Sequence, residues 1–137
     1  MNGIGTNSVP WEYKHNSTLQ IIEVVYSGRI TARDLRESTS ELIALEKDKG
    51  INKFLVDTSA MNLAASLMDV YELPEKQYLD ENADRRGLVA LLLPTAQKEK
   101  ELARFYETDC KNRGWNVQTF SNRDDAVGWL NRNVSSK

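Results

Sequence analysis

Apolar residues in this chain of 137 residues gather into four short runs, Ile21–Tyr26, Phe54–Val56, Leu88–Leu93 and Trp115–Phe120. Each run leads through a polar turn into a stretch with helical spacing. A repeated unit of strand, hydroxyl-rich turn and helix predicts an α/β fold with a largely parallel sheet. Ahead of the first helix, Trp11–Lys14 and Leu19–Tyr26 are separated only by a turn at His15-Asn16-Ser17. Strands so close in sequence pair as an antiparallel hairpin. The predicted order is ββαβαβαβα in one mostly parallel mixed sheet with flanking helices.

Local signals set the boundaries. Ser27-Gly28-Arg29-Ile30 breaks the second strand, Thr31 is a helix cap with Asp34 three residues on, and Gly50 closes a helix that ends at Lys49. Leu35, Leu42, Ile43 and Glu46 share that helix's inner face. Phe54–Asp57 reads as a short strand and Thr58–Leu63 as a turn. Ala64–Tyr71 reads as a helix that Pro74 interrupts, with a turn or two resuming over Glu75–Asn82. Arg86–Leu93 is the most apolar strand and is expected at the sheet centre. Pro94-Thr95 opens a helix carrying Leu102, Ala103, Phe105, Tyr106 and Cys110, which stops at Gly114. Ser121 or Asn122 caps a last helix with Ala126, Trp129 and Leu130 inward. Residues 1–10 are expected to be a flexible N-terminus and 11–137 one domain.

Composition narrows the classes of function. A net charge of −2 with interspersed signs, as in Arg33-Asp34-Leu35-Arg36-Glu37, leaves no basic stripe for nucleic acid. The longest apolar run, Leu88–Leu93, is far short of the ~20 residues that span a bilayer. The first eight residues carry no readable signal peptide. Cys110 is the only cysteine, so no internal disulfide forms, and the cytoplasm is the expected compartment.

The chain resembles the SpoIIAA-like, or STAS-like, domains, whose superfamily also includes the SEC14-type lipid carriers. The matching pieces are Tyr26-Ser27-Gly28-Arg29-Ile30-Thr31 entering a helix and Phe54-Leu55-Val56-Asp57-Thr58-Ser59 ending a strand. The closing segment from Phe120 to Leu130, with its Ala126-x-x-Trp129-Leu130 helix, is similar too. The resemblance covers the chain from about Trp11 and implies a regulatory, protein-binding domain. In that family a phosphorylated Asp-Ser-Ser/Thr-Gly segment opens the helix after the central strand. Here Met61-Asn62-Leu63-Ala64-Ala65-Ser66 stands in its place, with a hydroxyl at Ser66 but no preceding aspartate and no glycine.

In an open parallel sheet, ligands bind beyond the carboxyl ends of the strands. That rule gathers Ser27, Gly28 and Arg29 with Asp57, Thr58 and Ser59, and beside them Pro94, Thr95, Ser121 and Asn122, as a candidate recognition edge. The plainer alternative makes Thr31, Thr95 and Asn122 helix caps and lets Asp57 tie down its own turn. Leu67, Met68, Tyr71 and Tyr78, with Val70, Leu73 and Leu79 around Pro74, form a candidate apolar lid or an oligomer contact; ordinary packing is the alternative. Trp11, on an edge strand, is a candidate for exposed pairing with a second copy. His15 is expected on the surface of the hairpin turn, and Cys110 as a small hydrophobe in a packed helix face.

No catalytic, metal-ligating or cofactor-binding set emerges; P-loop and dinucleotide fingerprints are absent. The expectation is a non-enzymatic STAS-like regulatory or protein-interaction domain without cofactor, with a protein partner and homodimerisation both open. Its recognition edge is the strand-end cluster, and Ser66 is its phosphorylation candidate. The alternative is a module of SEC14-like character for a small apolar ligand or lipid, with the Leu67–Leu79 segment as lid.

Overall fold

The computed structural model describes residues 10–132. The flexible segment expected over residues 1–10 lies outside that range apart from Pro10, whose carbonyl accepts the Ser27 N–H at 2.9 Å. Five strands form one sheet in the order β1-β2-β3-β4-β5: β1 (Trp11–Asn16), β2 (Ile21–Thr31), β3 (Lys53–Ala64), β4 (Leu88–Leu92) and β5 (Asn116–Phe120). β1 and β2 are antiparallel and every other pair is parallel. The helices are α1 (Ala32–Lys49), α2 (Leu67–Glu72), α3 (Tyr78–Asp80), α4 (Gln97–Asn112) and α5 (Arg123–Arg132). The predicted order and the mixed sheet with its N-terminal hairpin are both present.

The period-two pleat sends alternate residues to opposite faces. Ile22, Val24 and Tyr26 of β2 and Phe54 and Val56 of β3 pack with Leu35 and Leu42 of α1, Val70 of α2, and Leu102 and Tyr106 of α4. Ile21, Leu55 and Ala90 pack on the other face against Ala126 and Leu130 of α5. Among the described residues, α1, α2 and α4 thus crowd one face and α5 covers the other. Glu23 lies on the α5 face, buried, where Arg123 grips it with Nη1 at 2.8 Å and Nη2 at 2.9 Å.

Helix ends follow the sequence closely. Thr31 and Asp34 form a reciprocal capping box, and Gly50 takes the left-handed conformation (φ 68°) that ends α1. Asn122 Oδ1 accepts the Asp125 N–H at 2.9 Å and so caps α5. Thr95 caps nothing: Ala96 precedes α4 without a side-chain bond.

Several expectations need correction. Thr58–Leu63 is not a turn but the second half of β3, which pairs with β2 as far as Thr31↔Ala64. Ser27–Ile30 likewise stays within β2; the interruption there is a bulge between Val25 and Ser27. β3, not β4, is the central strand. His15 is exposed as expected, yet it sits in β1 opposite Ile22, because the hairpin turn falls at Ser17–Gln20 with Gln20 at φ 58°. Trp11 is on an edge strand but is buried, 6% exposed, with its Nε1 donating to Glu41 of α1 at 3.2 Å. It therefore offers no exposed aromatic for pairing with a second copy.

Candidate functional site

β4 parts from β3 after Asp57, its last pairing being with Leu92, while β2 and β3 run on together as a two-stranded ribbon. Across the bulge, Val25 faces Asp57 and Ser27 faces Ala60, so Thr58 and Ser59 lie opposite the single residue Tyr26. Gly28, at φ 73°, supplies a backbone conformation that side chains resist. Ser27, Gly28 and Arg29 are exposed along the ribbon beside Ala60, Met61 and Asn62. The two predicted triplets therefore lie on neighbouring strands, offset along them.

Within the second triplet the side chains have local work. Asp57 Oδ1 accepts the Ser59 backbone N–H at 2.9 Å and the Ser59 hydroxyl at 2.7 Å. Thr58 is buried, and its hydroxyl donates to the Leu92 carbonyl at 2.6 Å, which removes it from the surface. The Thr95 hydroxyl approaches the Ser59 carbonyl at 3.4 Å. What remains available to a partner here is Ser27, Gly28, Arg29 and the Ser59 flank.

Beyond the ribbon, Ser66 is the N-cap of α2. Its hydroxyl accepts the Asp69 N–H at 3.1 Å and donates to Asp69 Oδ2 at 2.9 Å, and its own N–H donates to the same oxygen at 2.9 Å. Those bonds hold the Asp69 carboxyl below its ordinary range. Ser66 is exposed, and beside it Leu67 and Met68 are 50% and 60% exposed.

Residues 67–80 form one continuous helical segment. Pro74 does not break it: the turn Leu73–Gln77 widens, and the Tyr78 N–H reaches back five residues to the Leu73 carbonyl. Val70, Leu73 and Tyr78 face inward. The Tyr78 ring meets Trp115 edge to face at 5.3 Å, its hydroxyl bonds that of Tyr106, and burial pushes both phenols upward in pKa. Tyr78 is thus the inner anchor of the segment, while Leu67 and Met68 mark its outer surface. Arg113, at the end of α4, fastens the segment: it donates to the Tyr71 hydroxyl at 2.6 Å, pairs with Glu75, and holds Asp109 Oδ1 at 3.2 Å.

Between this segment, α1, α4 and the sheet lies a cavity of about 170 Å³. Its walls are mainly aliphatic and aromatic. Glu46 of α1 and Glu99 of α4, only 8% and 6% exposed, also line it. Glu46 Oε1 accepts the Asp84 N–H at 3.1 Å, and Glu99 Oε2 accepts the Leu63 N–H at 3.0 Å. Burial is the main cause raising the Glu46 carboxyl above its ordinary pKa. Cys110 is fully buried, and burial pushes its thiol up to about 12, so it is no nucleophile. Among the described residues no cluster of His, Cys, Asp and Glu could hold a metal ion, and no helix is long and apolar enough to cross a membrane.

Sequence reasoning placed Glu46 on the inner face but overlooked Glu99, Arg113 and the Glu23–Arg123 pair. Glu99 had a readable signal, because it falls on the same helical stripe as Leu102, Ala103, Tyr106 and Cys110. Of the arginine contacts only the i,i+4 pair of Arg113 with Asp109 was readable; Tyr71 and Glu23 lie 42 and 100 residues from their arginines in sequence.

No family model matches the chain, and no curated protein matches its sequence. Solved structures do. One is the crystal structure of an uncharacterized protein from the DUF3478 family with a SpoIIAA-like fold from Shewanella loihica PV-4. It is 18% identical, covering 93% of this chain and 99% of that one, with a TM-score of 0.58. Another is the Bacillus cell fate determinant SpoIIAA in its phosphorylated form, 13% identical over 88% of this chain and 98% of that one, with a TM-score of 0.52. The protein is an α/β domain with a SpoIIAA-like, STAS-like fold.

Proposed function

We propose that this is a non-enzymatic regulatory domain of the cytoplasm that works by binding a protein partner. The observation that carries the reading is the start of α2. There an exposed hydroxyl, Ser66, sits beside two exposed apolar side chains, Leu67 and Met68, on a helix whose other face is fixed to the core. Apolar side chains left uncovered on a rigid element are what a partner would bury. The β2–β3 ribbon, with Ser27, Gly28, Arg29 and Ser59, supplies the second part of the surface.

In this reading, phosphorylation of Ser66 switches that surface. A phosphate there would carry close to two negative charges against the Asp69 carboxylate that now accepts the Ser66 hydroxyl. The repulsion would drive the Asp69 carboxylate off the Ser66 N–H and so undo that half of the capping box, while the phosphate itself is favoured at the helix N-terminus.

The test is the intact mass of protein taken from its own cells, followed by partner capture with variants. A covalent gain matching phosphate, absent in Ser66→Ala, is expected. Met68→Asp is expected to weaken capture at least tenfold with Tm unchanged, since the side chain is mostly in solvent. A bare chain together with undiminished capture by Leu67→Asp and Met68→Asp would rule the reading out.

A second reading, a module for a small apolar ligand, is favoured by the cavity. Protein interiors rarely leave voids larger than a water molecule. A mainly apolar recess of about 170 Å³ leaves its lining side chains short of packing partners, which a ligand would supply. The volume is below the ~300–1,000 Å³ of sites for drug-sized molecules, which excludes a phospholipid held whole inside it.

A further inference from the structure

The chemistry of the cavity wall points to a narrower class of occupant than its size does. Three acids, Glu46, Asp84 and Glu99, are among the lining residues, and no lysine, arginine or histidine is. Glu46 and Glu99 approach from different helices, each committing one oxygen to a backbone N–H of the surrounding chain. An ionised fatty acid or a phosphate-bearing headgroup would have to leave water and find no counter-charge, only carboxyl groups. A ring compound meets aromatic and branched aliphatic walls, including Phe54, Val89, Tyr106 and Trp115. A single N–H or O–H donor on it would find carboxyl oxygens as acceptors. The volume of about 170 Å³ is close to that of the engineered ~150 Å³ apolar cavity that takes up benzene.

We propose that the cavity binds a small uncharged ring compound carrying one N–H or O–H donor, in preference to a fatty acid or a phosphate-bearing lipid. This rests on the ligand-binding reading of the cavity and specifies its ligand class. The wide turn at Pro74 and the Arg113 contacts give the segment over residues 67–80 a defined seat along one wall of the cavity.

The experiment compares indole, as the neutral donor-bearing probe, with octanoate, as the anionic one. Each is titrated into the full chain, with binding read by amide chemical shifts and by Tm. Indole is expected to saturate, to shift the Ala103, Val89 and Trp115 signals, and to raise Tm by about 5 °C at tenfold excess over its Kd. Octanoate is expected to bind at least tenfold more weakly. Glu46→Gln, which can still accept the Asp84 N–H, should narrow that ratio. Ala103→Leu should abolish the indole shifts by filling the space. Octanoate binding as tightly as indole, or a ratio unmoved by Glu46→Gln, would overturn the ligand class while leaving a ligand-binding cavity in place. Saturation by neither probe in the unaltered protein would overturn both.

Discussion

Arg113→Ala is expected to speed amide exchange across residues 67–80 about tenfold or more and to lower Tm. One guanidinium joins three groups from two elements: the Tyr71 hydroxyl and Glu75 on the covering segment, and Asp109 one turn back on α4. Its removal leaves Asp109, only 12% exposed at its side chain, without the charge that compensates it. An uncompensated buried carboxylate is costlier than the loss of an exposed pair. Lys111→Ala, which removes a neighbouring exposed contact to Glu107 at 3.4 Å, is the control and should stay within about 0.5 kcal/mol. Hydrogen exchange by mass spectrometry separates the two. Equal protection of 67–80 in both variants would show that Arg113 does not fasten the segment.

The second large effect lies on the opposite face. Acidification is expected to remove about 2–3 kcal/mol of stability through Glu23 alone. The Arg123 fork, reinforced by Asn16, holds the Glu23 carboxyl at about 2, against 4.5 for a free side chain. A carboxyl whose folded-state pKa is lowered contributes stability that is fully present above the unfolded value. That contribution is lost as pH falls from about 4.5 towards 2. The magnitude is set below the full shift because the Arg123 side chain is half exposed. Glu23→Gln should flatten this part of the stability profile, measured by denaturant melts between pH 6 and pH 2. A slope identical to the unaltered protein's would mean that other carboxylates govern acid unfolding. The pair matters beyond its energy, since it ties the first turn of α5 to the hairpin at the other end of the chain.

Much of this architecture could be read from the residues because the signals that set it are local. Thr31 with Asp34, Gly50, Gly114 and Asn122 each mark an end by chemistry contained within a few positions. The apolar runs gave the order of elements for the same reason. The ribbon was missed because Ser27-Gly28-Arg29 and Thr58–Asn62 are polar and small, and look like turns alone. They stay extended because each pairs with the other, an interaction between segments some 30 residues apart that no local propensity reports. Trp11 was misplaced for a related reason: an edge strand can still be covered on its face, and here α1 covers it. Within the candidate site, Ser66 was legible as a hydroxyl beside apolar Leu67 and Met68, but the helix expected from Ala64 starts only at Leu67, because β3 runs on to Ala64 and Ser66 is the cap. The cavity was not, because it is a property of how well three helices fill one face of the sheet.

The wide turn at Leu73–Gln77 sets the rotational phase of α3. An α-helix advances about 100° per residue, so one additional residue wound into a single turn rotates every later side chain by that amount. Val70 and Leu73 face inward before the turn and Tyr78 after it, whereas an uninterrupted helix would present Gln77 at that bearing. Deleting one exposed residue of the turn, Lys76, would convert it to ordinary α-helical spacing and keep the aromatic ring inward, with Leu79 in solvent as before. Inserting one would carry the ring out of the interior and turn a polar side chain towards Trp115. Chain length here therefore tolerates a deletion better than an insertion, although Glu75 and Lys76 themselves are exposed.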